Sequence, residues 1–203
     1  MSRPELDRAR RCAIGVLAAA LYQDGCPGDA LIAFEADLVN DLRVGSSEEA
    51  ILSTRQNIAN CYSTVGRHEE GLIIQRDIYA KRKALFGWEY KTFVAALSLS
   101  ISLMYLGRHT AEAKPVLQEA VQAGEQALGP ETDIMLRLRT RYGRVLSEDT
   151  GASRADHVEA ESILADVARI SRRVRGGSHP QTEVAQHALE GVQAQLARIN
   201  LDA

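Results

Sequence analysis

The chain has 203 residues, 45% of them hydrophobic and 25% charged, which is the composition of a folded globular protein rather than a disordered chain. Its 24 basic and 27 acidic side chains give a formal net charge of -3, so no overall basic field favours nucleic acid or a membrane surface as the partner. The longest apolar run, residues 13–22, is about half the length of the roughly 20 residues that a membrane-spanning helix needs.

Three cysteines bear on the cellular compartment. Cys12, Cys26 and Cys61 are an odd number and lack the spacing of metal ligands, so we interpret them as reduced thiols. No signal peptide is recognisable at the N-terminus. We therefore expect a cytoplasmic protein without a membrane segment.

Apolar residues recur at helical spacing along the chain, and no stretch alternates for long in the manner of a strand. Glycines, prolines and the capping sequence Ser46-Ser47-Glu48-Glu49 separate the periodic segments. The first two helices should bury the apolar stripes Leu6, Ile14, Leu17 and Leu21, and Leu31, Ile32, Phe34, Leu38 and Leu42. The pattern predicts helices over residues 3–23, 28–43, 47–64, 68–85, 90–105, 109–127, 132–148, 155–174 and 180–200.

The turns between these helices recur at a fixed interval. Gly25, Gly66 and Gly107 are 41 residues apart, and the glycines at 45, 87 and 129 that end the second helices are 42 residues apart. Such self-similarity indicates a repeat architecture. Small residues occupy the positions where paired helices should touch: Ala18, Ala59, Ser100 and Gly143. We predict one domain over residues 1–203, with repeats at about 3–45, 46–87, 88–129 and 130–177 and a capping helix at 180–200.

Three segments resemble a known repeat. Residues 54–67, TRQNIANCYSTVGR, resemble the first helix and turn of a tetratricopeptide repeat (TPR), in the roughly 42-residue variety of the kinesin light chain type. Residues 112–117 resemble the acid-Ala-x-Pro segment of that variety, and residues 177–182, GSHPQT, resemble its inter-repeat turn. The asparagines of the second repeat are replaced by Ser98 and by arginines in later repeats. The resemblance covers nearly the whole chain and implies an all-α, right-handed α-solenoid of stacked helical hairpins that binds a protein partner.

In a solenoid of this kind the first helix of each hairpin lines a concave groove. Helical spacing indicates which side chains of these helices point into it. From the first helix these are Cys12, Gly15, Val16, Ala19 and Tyr22; from the third, Ser53, Gln56, Asn57 and Asn60; from the fifth, Val94, Leu97, Ser98, Ile101 and Met104; and from the seventh, Arg137, Thr140, Arg141 and Arg144.

The amides and the arginines of this face suggest different ligand groups. Amides donate and accept hydrogen bonds, so Asn57 and Asn60 suit a peptide backbone, although they could instead bond the neighbouring hairpin. A guanidinium presents a rigid fork of donors that suits carboxylate. We predict that the peptide carries an acidic or C-terminal carboxylate end against Arg137, Arg141 and Arg144. The alternative is a solvated helix face, paired with acids of a neighbouring helix.

No cluster of residues points to catalysis or to a cofactor. The five histidines form no metal-spaced group, and neither a glycine-rich phosphate loop nor a nucleophile elbow is present. The eighth helix ends in a second basic cluster: Arg169, Arg172, Arg173 and Arg175. The cluster either supplies favourable charge at a helix C-terminus or binds an anionic partner such as nucleic acid. Four further side chains are interpreted as packing residues: Trp88, Tyr90, Met104 and Tyr105.

The sequence therefore predicts a non-catalytic protein–protein interaction scaffold that holds a partner peptide in its groove. One alternative is a structural subunit, held permanently in a larger assembly through its convex face or its ends. Another is a regulatory fragment of a longer protein.

Overall fold

The computed structural model describes the backbone of residues 3–107 and 110–201 and the side chains of residues 13–107 and 112–201. Within these ranges the chain forms nine α-helices and no strand. Each described helix boundary agrees with the sequence-based prediction to within one residue; the side chains of Leu6 and Cys12 and the predicted helix start at His109 lie outside the described ranges. The helices are α1 (Arg3–Gln23), α2 (Pro27–Val44), α3 (Glu48–Thr64), α4 (His68–Phe86), α5 (Tyr90–Tyr105), α6 (Thr110–Ala127), α7 (Asp133–Glu148), α8 (Arg154–Arg175) and α9 (Pro180–Leu201).

The recurring glycines reverse the chain between helices. Gly66 has a φ of 84°, and Gly25 and Gly107 share its left-handed backbone, which a residue with a Cβ adopts only with strain. The interval of 41 residues is therefore the interval between equivalent bends.

Side-chain caps fix several helix starts. The Ser47 side chain accepts a hydrogen bond from the amide of Ala50, and Ser153 forms a reciprocal capping box that begins α8.

The helices form two compact units, Met1–Leu85 and Phe86–Ala203. In the first unit α1 packs on α2 and α2 on α3. In the second unit successive helices from α5 to α9 pack on one another. There α5 also contacts α7, and α7 contacts α9, so helices at alternate positions stack side by side. A single domain over residues 1–203 stays a prediction.

The core of the first unit differs from the predicted stripes. One buried cluster contains Ala18, Ala30, Leu31, Phe34, Ile58 and Cys61. Leu17, Ile32 and Leu42, which the periodicity placed in the core, are mainly exposed. In their place α2 buries the carboxylate of Asp41, which accepts hydrogen bonds from Ser46 Oγ at 2.7 Å and Thr54 Oγ1 at 3.1 Å. A polar group that has its partners can be buried, so α2 turns part of its polar face inward.

The second unit packs large apolar residues against small ones. Phe93, Leu103, Leu136 and Leu164 are among its fully buried side chains. A Cβ added at Gly143 would lie 2.7 Å from Leu164 Cγ, which is closer than real contacts allow. The other small residues predicted at helix contacts, Ala18, Ala59 and Ser100, are fully buried in their units. Small side chains at these positions therefore let the helices approach closely.

Candidate peptide-binding site

Three arginines lie along one side of α7, at positions 137, 141 and 144, and we call this set the arginine face. Arg144 Nε donates to Glu148 at 2.7 Å, and Arg137 lies 3.8 Å from the carboxylate of Asp133. Both acids belong to α7 itself and are one helical turn away, rather than on a neighbouring helix as the alternative interpretation supposed. Two of the three arginines therefore have carboxylate partners in their own helix.

Arg141 differs from its two neighbours. The residue is half-buried, and its one hydrogen bond within the described residues runs from Nη1 to Met104 Sδ at 3.9 Å. The pKa of Arg141 is lowered to about 10, mainly by burial and also by the positive charges of Arg144 and Arg137, against the attraction of Glu148. The side chain is still protonated at neutral pH. Arg141 is therefore a partly desolvated cation that forms no ion pair with the described residues, although Glu148 attracts it electrostatically.

The residues of α5 and α7 that were predicted to line the groove are partly exposed and partly buried. Ser98 is half-buried and Ile101 is 38% exposed, so both reach the surface as predicted. Leu97 and Thr140 do not, because Leu97 lies in the core and Thr140 is buried with its hydroxyl bonded to the carbonyl of Leu136 at 2.7 Å. Both predictions of groove exposure are wrong. A helix face broad enough to stack against two neighbours leaves a narrower open strip than spacing alone suggests.

The aromatic residues just before and within α5 divide into a half-buried packing residue and two exposed tyrosines. Trp88 is half-buried and stacks on Phe93 with ring centroids 5.0 Å apart, as a packing residue should. Tyr90 and Tyr105 are 59% and 69% exposed, so their interpretation as packing residues is wrong. Tyr105 lies two helical turns after Ser98 and therefore extends the same side of α5.

A cavity of about 630 Å³ lies between α7 and α9, and we call it the α7/α9 cavity. It is lined by Arg144, Glu148, Pro180, Glu183, Val184, His187 and Ala188. Sequence reasoning missed the α9 residues because it assigned α9 only a capping role. The signal was present: the order Pro-x-Thr occurs at Pro130 and Thr132 just before α7 and recurs at Pro180 and Thr182 at the start of α9.

The predicted amide residues lie in the first unit. Asn57 and Asn60 line a cleft of about 180 Å³ with Ala19, Tyr22, Gln23 and Phe34. Gln56 Nε2 donates to Asn60 Oδ1 at 3.2 Å, which orients the Asn60 amide along its own helix. Within the described residues neither Asn57 nor the Nδ2 of Asn60 has a hydrogen-bond partner, and neither residue bonds a neighbouring hairpin. The amide donors of both residues are therefore available at the cleft.

The second basic cluster is paired throughout. Arg169 pairs with Asp166, Arg172 donates to Gln186 at 3.2 Å, Arg173 pairs with Glu131, and Arg175 donates to Asp133 at 2.7 Å. Glu131 and Asp133 lie at the turn that begins α7. The end of α8 is thus tied to the start of the same repeat, which supports the structural interpretation of this cluster.

In the part of the chain that the structure describes, no group of three His, Cys, Asp or Glu side chains is placed to hold a metal ion. None of the described helices combines the length and the apolar character needed to cross a membrane.

Comparison with known proteins identifies the fold. No protein-family model matches the chain, and neither does any curated protein. Two crystal structures of a Podosopora anserina kinesin light chain protein with nearly identical TPR-like repeats, one of them a variant with a single substitution, match with TM-scores of 0.75 and 0.73 at 21% and 20% identity. Each match covers 100% of this chain and 94% of the other. The structure of BtubC (BKLC) from P. vanneervenii matches with a TM-score of 0.58 at 14% identity, over 98% of this chain and 84% of that one. The chain therefore has the all-α fold of TPR-like repeat solenoids.

Proposed function

We propose that this protein is a non-catalytic interaction scaffold that binds a segment of a partner protein on the groove side of its first helices. The TPR-like fold is generally a protein-interaction scaffold, and the structural similarity to such proteins supports the proposal. Each unit would contain one subsite, and the two subsites would bind different groups of a ligand. In the first unit Asn57, Asn60 and Gln56 would hold a peptide backbone, and in the second unit the arginine face would hold a peptide carboxylate.

The observation that supports this proposal is the unmatched charge of Arg141. Desolvating a cation costs free energy, and within the described residues Arg141 has no ion pair to offset that cost, only the electrostatic attraction of Glu148. A ligand carboxylate would form charge-assisted hydrogen bonds with the guanidinium fork, each contributing about 1.5–3 kcal/mol when one partner is ionised. The Met104 side chain beside the arginine reduces the screening of that interaction by water.

The amide subsite fits the same kind of ligand. An extended peptide presents alternating backbone N–H and C=O groups, and the Asn amide can serve both at once. The cleft beside Asn57 and Asn60 has a floor that includes Phe34, which is buried in the core of the first unit. A peptide held by the amides would therefore place one apolar side chain over an aromatic surface.

The proposal is tested with an array of random octapeptides probed with the native protein and with Arg141→Met. A methionine keeps much of the length of the side chain and removes the charge. We expect the binders of the native protein to be enriched in Asp and Glu, and the enrichment to disappear with Arg141→Met but to persist with Arg198→Met, an exposed arginine near the end of α9. Equal acidic enrichment in all three proteins would contradict the proposal.

A second function, that of a fixed subunit in a larger assembly, is favoured by exposed apolar residues on the second helices of the first unit. Ile32 of α2 and Ile73 of α4 occupy equivalent positions in successive hairpins and are 67% and 65% exposed. Val39 and Leu42 extend the apolar surface of α2. Under this alternative, Ile32→Asp with Ile73→Asp would release a stoichiometric partner from the purified protein, whereas Arg141→Met would retain it.

A further inference from the structure

We infer that the α7/α9 cavity is a subsite for a lysine or arginine side chain of the same partner segment whose carboxylate binds Arg141. This inference rests on the proposed function and extends it, since the second unit would then bind both a negative and a positive group of the ligand. The partner segment would carry an acid and a base at a fixed separation, rather than acids alone.

The position of the cavity connects it to the arginine face. Arg144 belongs to both, because it lies one turn after Arg141 on α7 and also lines the cavity. At about 30 Å³ per water molecule, the volume of about 630 Å³ is far larger than one or two waters would fill, and it has room for a long side chain. A ligand residue lying over Arg141 therefore has a neighbouring space into which another side chain of the ligand can extend.

The charges that line this space are mainly negative. Glu148 is matched by Arg144 at 2.7 Å. Glu183 of α9 has no cationic partner within the described residues, although it lies at the edge of the same cavity. His187, one turn further along α9, is the remaining titratable group of the lining. The cavity therefore holds one unmatched carboxylate. A ligand cation would neutralise it, and it would repel a second ligand carboxylate.

The uncharged part of the lining suits the stem of a basic side chain. Pro180, Val184 and Ala188 form an apolar wall on α9, and Val184 and Pro180 are exposed. Lysine and arginine cover apolar surface with their methylene groups and keep the charged head at a polar rim, which here is Glu183. A purely apolar ligand side chain would leave the Glu183 carboxylate without a cationic partner.

The spacing of the helices sets the expected separation in the ligand. Packed helices lie about 8–10 Å apart, and an extended chain advances about 3.3 Å per residue. The base should therefore follow or precede the acid by about three residues in an extended segment. This separation distinguishes the bound segments from those in which the two charges are adjacent.

Four labelled octapeptides on one sequence taken from the array test the inference. They carry Glu or Gln at the acid position and Lys or norleucine three residues away, and their affinities are measured with the native protein, Glu183→Gln and Glu190→Gln. Glu190 is a matched control, because it is an exposed acid on α9 that pairs with Gln186 and does not line the cavity. Glu183 also lies in the first turn of α9, where it favours the helix, so melting of each variant is recorded.

We expect replacement of Lys by norleucine to weaken binding to the native protein and to Glu190→Gln about three- to five-fold, and to have no effect on binding to Glu183→Gln. An unchanged Lys-to-norleucine ratio in Glu183→Gln, or no preference for Lys in the native protein, would overturn the inference. The Glu-to-Gln ratio reports separately on Arg141, so the inference can fail while the proposed function stands. If the Glu-to-Gln ratio is also lost in the native protein, the proposed function fails with it.

Discussion

Arg175 at the end of α8 donates a hydrogen bond of 2.7 Å to Asp133 at the start of α7, and the two residues are 42 positions apart in the chain. Three other described side-chain pairs have the same separation: Tyr22 with Thr64, Lys114 with Asp156, and Glu131 with Arg173. The separation equals the repeat interval between the glycines that end α4 and α6. Tyr22–Thr64 and Lys114–Asp156 join successive hairpins, whereas the pairs of Glu131 and Asp133 close the α7–α8 hairpin. These contacts can be tested one at a time.

Lys114 and Asp156 give a prediction about pH. Hydrogen bonds from Lys114 and Ser153 hold the pKa of Asp156 well below its usual range, although desolvation opposes this. A carboxyl group whose pKa is lower in the folded state stabilises the fold above its unfolded pKa, which is about 3.9, and this contribution is lost as the pH falls through the folded pKa. Asp156→Asn should therefore lower the melting temperature at pH 7 more than at pH 2.5.

Thermal melting from pH 7 to pH 2.5 measures this effect. Asp149→Asn is the control, because among the described residues the Asp149 side chain bonds only the amide of Gly151 in the loop before α8. If the gap in melting temperature between Asp156→Asn and the native protein stays constant over this range, the carboxylate is not the source of the stability.

Gly143 gives a prediction about packing. The Cβ of Gly143→Ala would lie 2.7 Å from Leu164 Cγ, and Leu164 is fully buried. Overpacking of a core costs about 1–3 kcal/mol, so we expect the free energy of unfolding to fall by that amount. Urea denaturation followed by circular dichroism measures it.

Gly191→Ala is the matched control for this substitution. Gly191 is also within a helix, but its added Cβ would meet nothing within 4 Å. Because alanine favours helix more than glycine does, this variant should gain about 0.5–1 kcal/mol. Equal effects of the two substitutions would contradict the close approach of α7 and α8.

Thr54 gives a prediction about the buried polar face of α2. Its hydroxyl donates to the carboxylate of Asp41 at 3.1 Å, and both residues are buried. Thr54→Val keeps the shape and removes the donor, so it should cost about 1–3 kcal/mol in the free energy of unfolding. Thr64→Val removes the exposed bond between Thr64 and Tyr22 and should cost less than about 0.5 kcal/mol. A neutral Thr54→Val would mean that Asp41 does not depend on this donor.

Arg141 gives a prediction that separates stability from binding. Replacing a partly buried charge that has no partner by an apolar residue is often neutral or stabilising. Arg141→Met should therefore leave the free energy of unfolding unchanged or raise it by up to about 1 kcal/mol, while it removes acidic ligands. Arg139→Met should instead destabilise the fold, because Arg139 donates to Asp166 at 2.7 Å across the α7–α8 hairpin. Similar losses in both variants would show that Arg141 supports the fold.

The helices and their repeat were predictable from local signals. The glycines mark bends that few other residues form, so their interval reports the architecture directly. The exposure of Ile32 and Leu42 was not predictable, because periodicity counts apolar residues and does not see that Asp41 finds its partners after the chain has folded. The open strip of α5 was overestimated for a related reason: Leu97 is turned inward by neighbours that the spacing of one helix does not reveal.

The candidate site was predictable in part. Arg137 and Arg144 have acids four residues away at Asp133 and Glu148, and the sequence shows both pairs. Arg141 has no acid three or four residues away on either side, so its isolation within α7 could also have been predicted. Its half-burial and the lack of a carboxylate from the other described helices follow from packing, and only the structure reveals them.

The most direct test of the proposed function is the affinity of one array-selected octapeptide and its Glu-to-Gln counterpart, measured by fluorescence anisotropy with the native protein and with Arg141→Met. We predict that the Glu peptide binds the native protein about ten-fold more tightly than the Gln peptide, the equivalent of one charge-assisted hydrogen bond, and that the two bind Arg141→Met equally. A ten-fold preference for Glu that survives in Arg141→Met would contradict the assignment of the carboxylate to Arg141.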